Sequence, residues 1–279
     1  LADGIDPSLK ALLPDVAAGL LHAPKGSFGL PVAGICGAQG SGKTTLAHAL
    51  EAALADQGIR ALTLSLDDFY LPKAERLLLA QDIHPLCATR GVPGTHDMPL
   101  FADTLAALAA AGADGETHIP CFSKLDDDRL PRREWQVVEG APDIVLFEGW
   151  CVGASPLATG ALSSPINDLE ETEDANGVWR RWWAEALARD YWPLWQALSP
   201  LILIRVPGLE SVVRSRLQQE AGLAAAAPHK PRMDEAAVRR FVAHYERLTR
   251  HVWAEMPARA HLVIDRDDSF AFSIAAPMR

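Results

Sequence analysis

Cysteine is scarce in this chain of 279 residues. Its four cysteines are Cys36, Cys87, Cys121 and Cys151. No two of them form a C-x-x-C pair, so the chain carries neither a zinc-ligand pattern nor a redox dithiol. Free thiols in a reducing compartment are expected, and with them a cytoplasmic location. Long apolar runs are also lacking. The Ala-rich stretch at 102–111 is too short to span a bilayer, and Asp103 and Thr104 interrupt it. No signal peptide is visible, and the start at Leu1 rather than Met is expected of a trimmed N-terminus. Positive charge is in deficit. The net charge of −10 argues against a nucleic-acid partner, because phosphate backbones demand Lys and Arg surfaces. The expectation is a monomer that binds neither nucleic acid nor membrane and acts on a small molecule.

What is present is ample apolar material, 49% of residues, enough to build a sizeable core. Residues 8–22 have the spacing of a short amphipathic helix, and Pro24, Gly26 and Gly29 then break the chain. "LPVAGICG" (30–37), "IRALTLSL" (59–66), "DIVLFEGW" (143–150), "PLILIRVPG" (200–208) and "AHLVID" (260–265) are nearly continuous apolar runs with the length of strands. Helical stretches, such as 43–58 and 98–111, lie between them. This alternation predicts an α/β fold, a mostly parallel central sheet sandwiched between helices in three layers. Residues 1–279 are expected to form one domain. Within it, 1–29 is an N-terminal helix and linker, while 112–135 and 153–177 are surface inserts. Five tryptophans crowd into 179–195 and are expected to pack helices on the sheet.

"GAQGSGKT" fits G-x-x-x-x-G-K-[ST] in full and stands between a strand and a helix, where the mechanism requires it. Glycines let the backbone wrap an anion, and the helix N-terminus adds partial positive charge. Gly37, Ala38, Gln39, Gly40, Ser41, Gly42, Lys43, Thr44 and Thr45 are therefore candidate nucleotide-binding residues. Lys43 is placed to reach the β- and γ-phosphates, and the Thr44 hydroxyl to ligate Mg²⁺. The motif implies a P-loop NTPase fold that binds a nucleoside triphosphate and Mg²⁺. Glu148, ending "DIVLFE", is a second candidate Mg²⁺ ligand, directly or through water. Guanine-specific signals are missing: "SKLD" (123–126) precedes the "LFEGW" strand, and no D-x-x-G precedes it.

Phosphoryl transfer to an alcohol needs a carboxylate near the attacking hydroxyl. Asp67 and Asp68 end the second strand, and ligands of open α/β sheets sit beyond the carboxyl ends of strands. Both are candidates on position. Adjacent side chains on an extended strand diverge, so only one can face the phosphates.

"SLDDFYLP" after a P-loop, then "RGVPGTHD" (90–97) and "LFEGW" (146–150), resembles the glycerate kinase family. That family groups with uridine kinase, phosphoribulokinase and pantothenate kinase. The resemblance runs from about residue 32 to about 265 and includes "IPCFSK" (119–124), "DR" (128–129), "INDLE" (166–170), "VVRSRLQQE" (212–220) and "MDEAAVRRFVAHY" (233–245). Departures cluster on the acceptor side. Phe122 and Ser123 replace the family's Tyr and Asp, Leu125 stands for Ser, and Asp126 and Asp127 replace a glycine-rich stretch.

The resemblance implies an ATP-dependent kinase of D-glycerate, with a lid at 208–232 whose tip is 224–231. It implies Asp67 as the catalytic carboxylate, acting as base or Mg²⁺-water holder, and Asp68 as its support. Tyr70, Arg90, His96, Asp97, Lys124 and Arg129 are the candidate acceptor-binding residues. A helix N-cap is the alternative for Asp97. Surface pairing with Asp126 to Asp128 is the alternative for Lys124 and Arg129. Arg214 and Arg216 sit on the lid helix without sharing a face, so one is expected to reach the phosphates and act in catalysis. Another hydroxylated metabolite, such as a nucleoside, pantothenate or a sugar phosphate, is the alternative acceptor. A regulator with weak ATPase activity is the alternative outside the kinases.

Overall fold

The computed structural model describes residues 6–22, 28–226 and 233–276. Helix α1 (Pro7–His22) leads to strand β1 (Val32–Gly37), the P-loop and helix α2 (Lys43–Ala55). Strand β2 (Ala61–Ser65) runs into a short 3₁₀ turn (Leu66–Phe69), then α3 (Lys73–Asp82) and α4 (Met98–Ala110). The first insert contains short strands β3 (Glu116–Ile119), β4 (Phe122–Ser123), β5 (Asp128–Arg129) and β6 (Gln136–Glu139). Next come β7 (Ile144–Gly149), α5 (Asp168–Glu173), α6 (Val178–Ala186) and α7 (Trp192–Trp195). The chain closes with β8 (Leu201–Arg205), α8 (Leu209–Ala226), α9 (Glu235–Glu255), β9 (Leu262–Arg266) and β10 (Phe272–Ala276).

Six strands form one sheet in the order β10-β9-β8-β1-β7-β2. All neighbours are parallel except β9 and β10. β1 is central and buried along its whole length, which explains its unbroken apolar run. Its side chains alternate between two cores. Ala33 and Ile35 join Leu46, Leu50 and Leu54 of α2, while Val32 and Cys36 face the opposite layer. That second layer holds Phe69, Phe101, Phe147, Trp183 and Trp195. Phe101 stacks on Phe147 with ring centroids 4.2 Å apart. Each such buried side chain stabilises the fold by about 1.5–3 kcal/mol. A smaller cluster of valines, including Val212, Val213, Val238 and Val242, joins α8 to α9.

The expected three layers are present, with several differences in detail. α2 stops at Ala55, and the turn to Gly58 follows with Gly58 at φ 76°. The first insert is not plain loop, because β3 pairs with β6 and β4 with β5, both antiparallel. Its polar, proline-rich composition hid strands of two to four residues. β10 had no expected counterpart. Most of the expected lid tip, from 227 onwards, lies outside the described residues. No described helix is long and apolar enough to cross a membrane. Trp179, Trp183 and Trp195 are buried in packing contacts, and Trp182 and Trp192 pack against them in part.

Candidate active site

The P-loop turns where only glycine fits. Gly40 and Gly42 have φ of 73° and 91°, in the left-handed region. A Cβ on Gly40 would stand 2.5 Å from Ser215 Cβ, and one on Gly42 2.8 Å from Phe272 Cζ. α2 starts at Lys43 with no side chain capping its first turn. Its leading N–H groups are therefore available to an anion. The buried Ser41 Oγ inside the loop has no hydrogen-bond partner among the described residues. Both features suit a phosphate cradle.

β1 and β7 run side by side, so the end of β7 comes beside the loop. Ile35 is in register with Glu148. Thr44 Oγ1 donates to Glu148 Oε1 at 2.7 Å, and Ser65 Oγ donates to the same oxygen at 3.1 Å. Lys43 Nζ lies 3.9 Å from Glu148 Oε2. A lysine, a hydroxyl and a carboxylate thus converge in front of the loop. The hydroxyl and carboxylate oxygens suit a hard cation, and the lysine suits the phosphate oxygens beside it.

The two adjacent acids part company on the 3₁₀ turn after β2. Ser65 Oγ accepts from Asp67 N at 3.3 Å and fixes the turn's entry. Asp67 enters the cleft with Lys43 and Glu148. Its Oδ1 accepts from Tyr70 OH at 2.8 Å, and its Oδ2 lies 2.6 Å from Lys124 Nζ. Burial works against its charge, but Lys124, Lys43 and the tyrosine hydroxyl outweigh it and hold its pKa down at about 2. Asp68 turns away and accepts from Phe122 N at 3.2 Å. Burial, with the charge of Asp67 beside it, pushes Asp68 up to about 6.

The cleft has a volume of about 680 Å³. Among the described residues six cations line it: Lys43, Arg76, Arg90, Lys124, Arg216 and Arg266. Three acids, Asp67, Asp127 and Glu148, stand against them. A local excess of three positive charges in a chain of net charge −10 focuses anions into this one crevice. Of the loop residues, Gln39, Gly40, Gly42, Lys43, Thr44 and Thr45 line it, while Gly37, Ala38 and Ser41 support the turn from behind. Arg216 lies at the cleft with its Nη2 2.5 Å from Glu220 Oε1 and its guanidinium 5.2 Å over the Phe241 ring.

Five expected site residues are placed elsewhere. Arg214 pairs with Asp268 and accompanies Ser211, off the cleft lining, because the helix turns it some 200° from Arg216. His96 is buried, stacked on the Tyr70 ring at 4.7 Å, with Nδ1 2.8 Å from Tyr191 OH. Burial pushes its pKa down to about 3, which favours the neutral ring. Asp97 caps α4, accepting from Leu100 N at 3.0 Å. Arg129 is spent on Asp97 at 3.0 Å and on Tyr70 O at 2.8 Å. These contacts tie the first insert to the start of α4 and leave the cleft to Arg90 and Lys124. Asp68 is likewise a support rather than a cleft residue.

Several cleft residues carry no local signal. Arg76 is the one buried residue of α3, and Arg266 closes β9 with Nη1 2.5 Å from Gly40 O. Tyr245 of α9 donates to Arg90 O at 2.8 Å, and Trp150 Nε1 donates to Gly91 O at 2.8 Å. A Cβ on Gly91 would strike the Tyr245 hydroxyl, at 2.5 Å. The only advance hint was "RGVPG", whose glycines allow such an approach.

No family model matches the chain. It is 35% identical over 245 residues to the uncharacterized kinase mug58 of Schizosaccharomyces pombe, covering 85% of this chain and 86% of that protein. It is 29% identical over 221 residues to the chloroplastic D-glycerate 3-kinase of Arabidopsis thaliana, covering 77% of this chain and 46% of that enzyme. The chain thus spans less than half of the plant enzyme. The solved D-glycerate 3-kinase of Cryptococcus neoformans shares the fold with a TM-score of 0.76 at 24% identity, over 98% of this chain and 99% of that one.

Proposed function

From the premise that the chain belongs to the P-loop kinase family of mug58 and D-glycerate 3-kinase, we propose that its acceptor is D-glycerate and its product a 3-phosphoglycerate. It is an ATP-dependent kinase of a small metabolite. The observation that carries the acceptor is the placement of Asp67, Lys124 and Arg90 in one cleft with Lys43. A carboxylate for the hydroxyl and two cations for an acid group match a hydroxy acid.

Lys43, the loop amides and Arg216 hold the phosphates. Thr44 and Glu148 would hold Mg²⁺, with Asp67 lining the same cleft. Bound Mg²⁺ neutralises charge on the transferring phosphates. Asp67 receives the acceptor's 3-hydroxyl and takes its proton as the phosphoryl group arrives. With its pKa near 2 it is a weak base while Lys124 sits on it. The acceptor's own carboxylate competes for Lys124. As it draws the ammonium away, Asp67 gains basicity at the moment it is needed. Arg90, flanked by the rings of Tyr70 and Phe122, offers its open fork to the same carboxylate. The protein acts as a monomeric single domain in the cytoplasm, in keeping with its free thiols.

An ADP-release screen over D-glycerate, pantothenate, nucleosides and sugar phosphates tests the acceptor. Stimulation by D-glycerate above all others is expected. Turnover of another acceptor with none for D-glycerate overturns the proposal.

A further inference from the structure

On the acceptor wall, one carboxylate serves two guanidinium groups. Asp127 Oδ1 lies 2.9 Å from Arg76 Nη2 and also accepts from Arg90 Nη1. The two arginines differ in what they have left. Arg76 is only 1% exposed, and its Nε, Nη1 and Nη2 donate to the carbonyls of Leu71, Ala88 and Asp127 at 3.2, 2.7 and 2.7 Å. It has no fork left for a ligand, and its buried charge needs a counter-charge. Arg90 is held at Nη1 by Asp127 alone, and 28% of its side chain is exposed. Its remaining N–H groups are open to the cleft.

The backbone of Asp127 is itself unusual. Its φ of 56° lies in the left-handed region, one of two such non-glycine residues among those described. That conformation costs on the order of 1 kcal/mol, and strain of this kind collects where a site over-determines a side chain. Here the Arg76–carbonyl bond and the two guanidinium contacts all fix Asp127 in place.

We propose that Asp127 is a specificity-determining residue that tunes the acceptor wall to a hydroxy acid with a single negative charge. Its charge cancels that of Arg76 and steers the Arg90 fork. Across Arg76, Arg90 and Asp127 one net positive charge remains for one carboxylate, with the charge of Lys124 balanced by Asp67. A second anionic group on the acceptor meets the Asp127 carboxylate and is repelled. The inference deepens the proposed acceptor and rests on it.

The test uses the full chain as wild type, Asp127→Asn and Asp127→Gly. D-Glycerate is the varied acceptor, and hydroxymalonate, which carries a second carboxylate in place of the 3-hydroxymethyl group, is the competitor. In wild type, hydroxymalonate competes weakly. In either variant the ratio of the glycerate KM to the hydroxymalonate Ki should rise on the order of tenfold, because the repelling charge is gone. Asp127→Gly also relieves the left-handed strain, so it serves where the Asn variant fails to fold. An unchanged ratio in a folded variant overturns the role. So does a loss of glycerate binding with no gain for hydroxymalonate, the result a purely structural Asp127 would give. Absence of glycerate turnover in wild type overturns the acceptor instead. The ratio is then read from binding of the two acids by thermal shift, and failure of both to bind wild type overturns both claims.

Discussion

Lys124 extends from the first insert and sets its ammonium 2.6 Å from Asp67 Oδ2. A surface lysine, 64% exposed at its side chain, thereby guards the carboxylate that faces the P-loop lysine. Lys124 and Lys43 together keep Asp67 ionised far below neutral pH. Replacing Lys124 by Met should move the acid limb of kcat/KM to higher pH, since the main charge holding the Asp67 pKa down is gone. The KM for D-glycerate should rise on the order of tenfold with the loss of a charge-assisted partner. A pH–rate profile of the variant checks both. An unmoved acid limb would detach Lys124 from the base.

Asp67→Asn should keep nucleotide binding and lose turnover by about a hundredfold or more. Asp68→Asn should turn over at a near-normal rate, because its oxygen still accepts from Phe122 N. The second variant also carries a stability signature. The folded pKa of Asp68 is about 6, above the ordinary 3.8. The folded chain therefore binds a proton that the unfolded chain has lost, and the charged form costs stability fully above pH 6. Asp68→Asn should stabilise the protein by on the order of 1 kcal/mol at neutral to alkaline pH, discounted for solvent screening. The gain should shrink as pH falls from about 6 to about 4. Urea melts across that range check it.

Glu148 is shared by Thr44 and Ser65 and faces Lys43. Glu148→Gln keeps the shape and removes the charge. The apparent Mg²⁺ requirement should rise on the order of tenfold or more, with a lower kcat at saturating Mg²⁺. Titrating Mg²⁺ at fixed ATP measures this. An unchanged requirement would leave the cation to Thr44 and Asp67.

Arg216 faces the cleft while Arg214 pairs outside it. Arg216→Ala should lower kcat on the order of a hundredfold if its charge meets the transferring phosphoryl group. Arg214→Ala should cost little, since an exposed ion pair contributes under about 1 kcal/mol. Steady-state kinetics of both variants separate them, and equal losses would refute the assignment.

The sequence made the phosphate half of the site legible and blurred the acceptor half. Lys43, Thr44 and Glu148 are local: one motif and one strand end place them by backbone geometry alone. Asp67 was legible as one of two acids, but which one faced the cleft depended on a 3₁₀ turn that Ser65 starts. His96, Asp97 and Arg129 have the right chemistry in the right segment. Asp97 and Arg129 instead satisfy each other and the first turn of α4, and His96 is buried against Tyr70 and Tyr191, a choice made by tertiary contacts. Arg76, Tyr245 and Arg266 reach the cleft from α3, α9 and β9, and nothing local marks them. The alternating strands and helices were plain, whereas β10 pairs antiparallel at the sheet edge and leaves a weaker pattern.

Ser65 touches both acidic residues proposed for the transfer step: it donates to the Glu148 carboxylate and accepts from the backbone amide of Asp67. The spacing between the metal-side and hydroxyl-side acids is thus set by one small residue at the end of a parallel strand. Lys124 and Asp127, proposed to face the acceptor, hang on a separate short hairpin, while Arg90 stands on the loop before α4. In the proposed reading, much of the acceptor choice is thus built on a different piece of chain from Glu148 and Asp67. A hairpin of new sequence could be exchanged into this scaffold to redirect it to another alcohol, with the phosphoryl-transfer ruler left untouched.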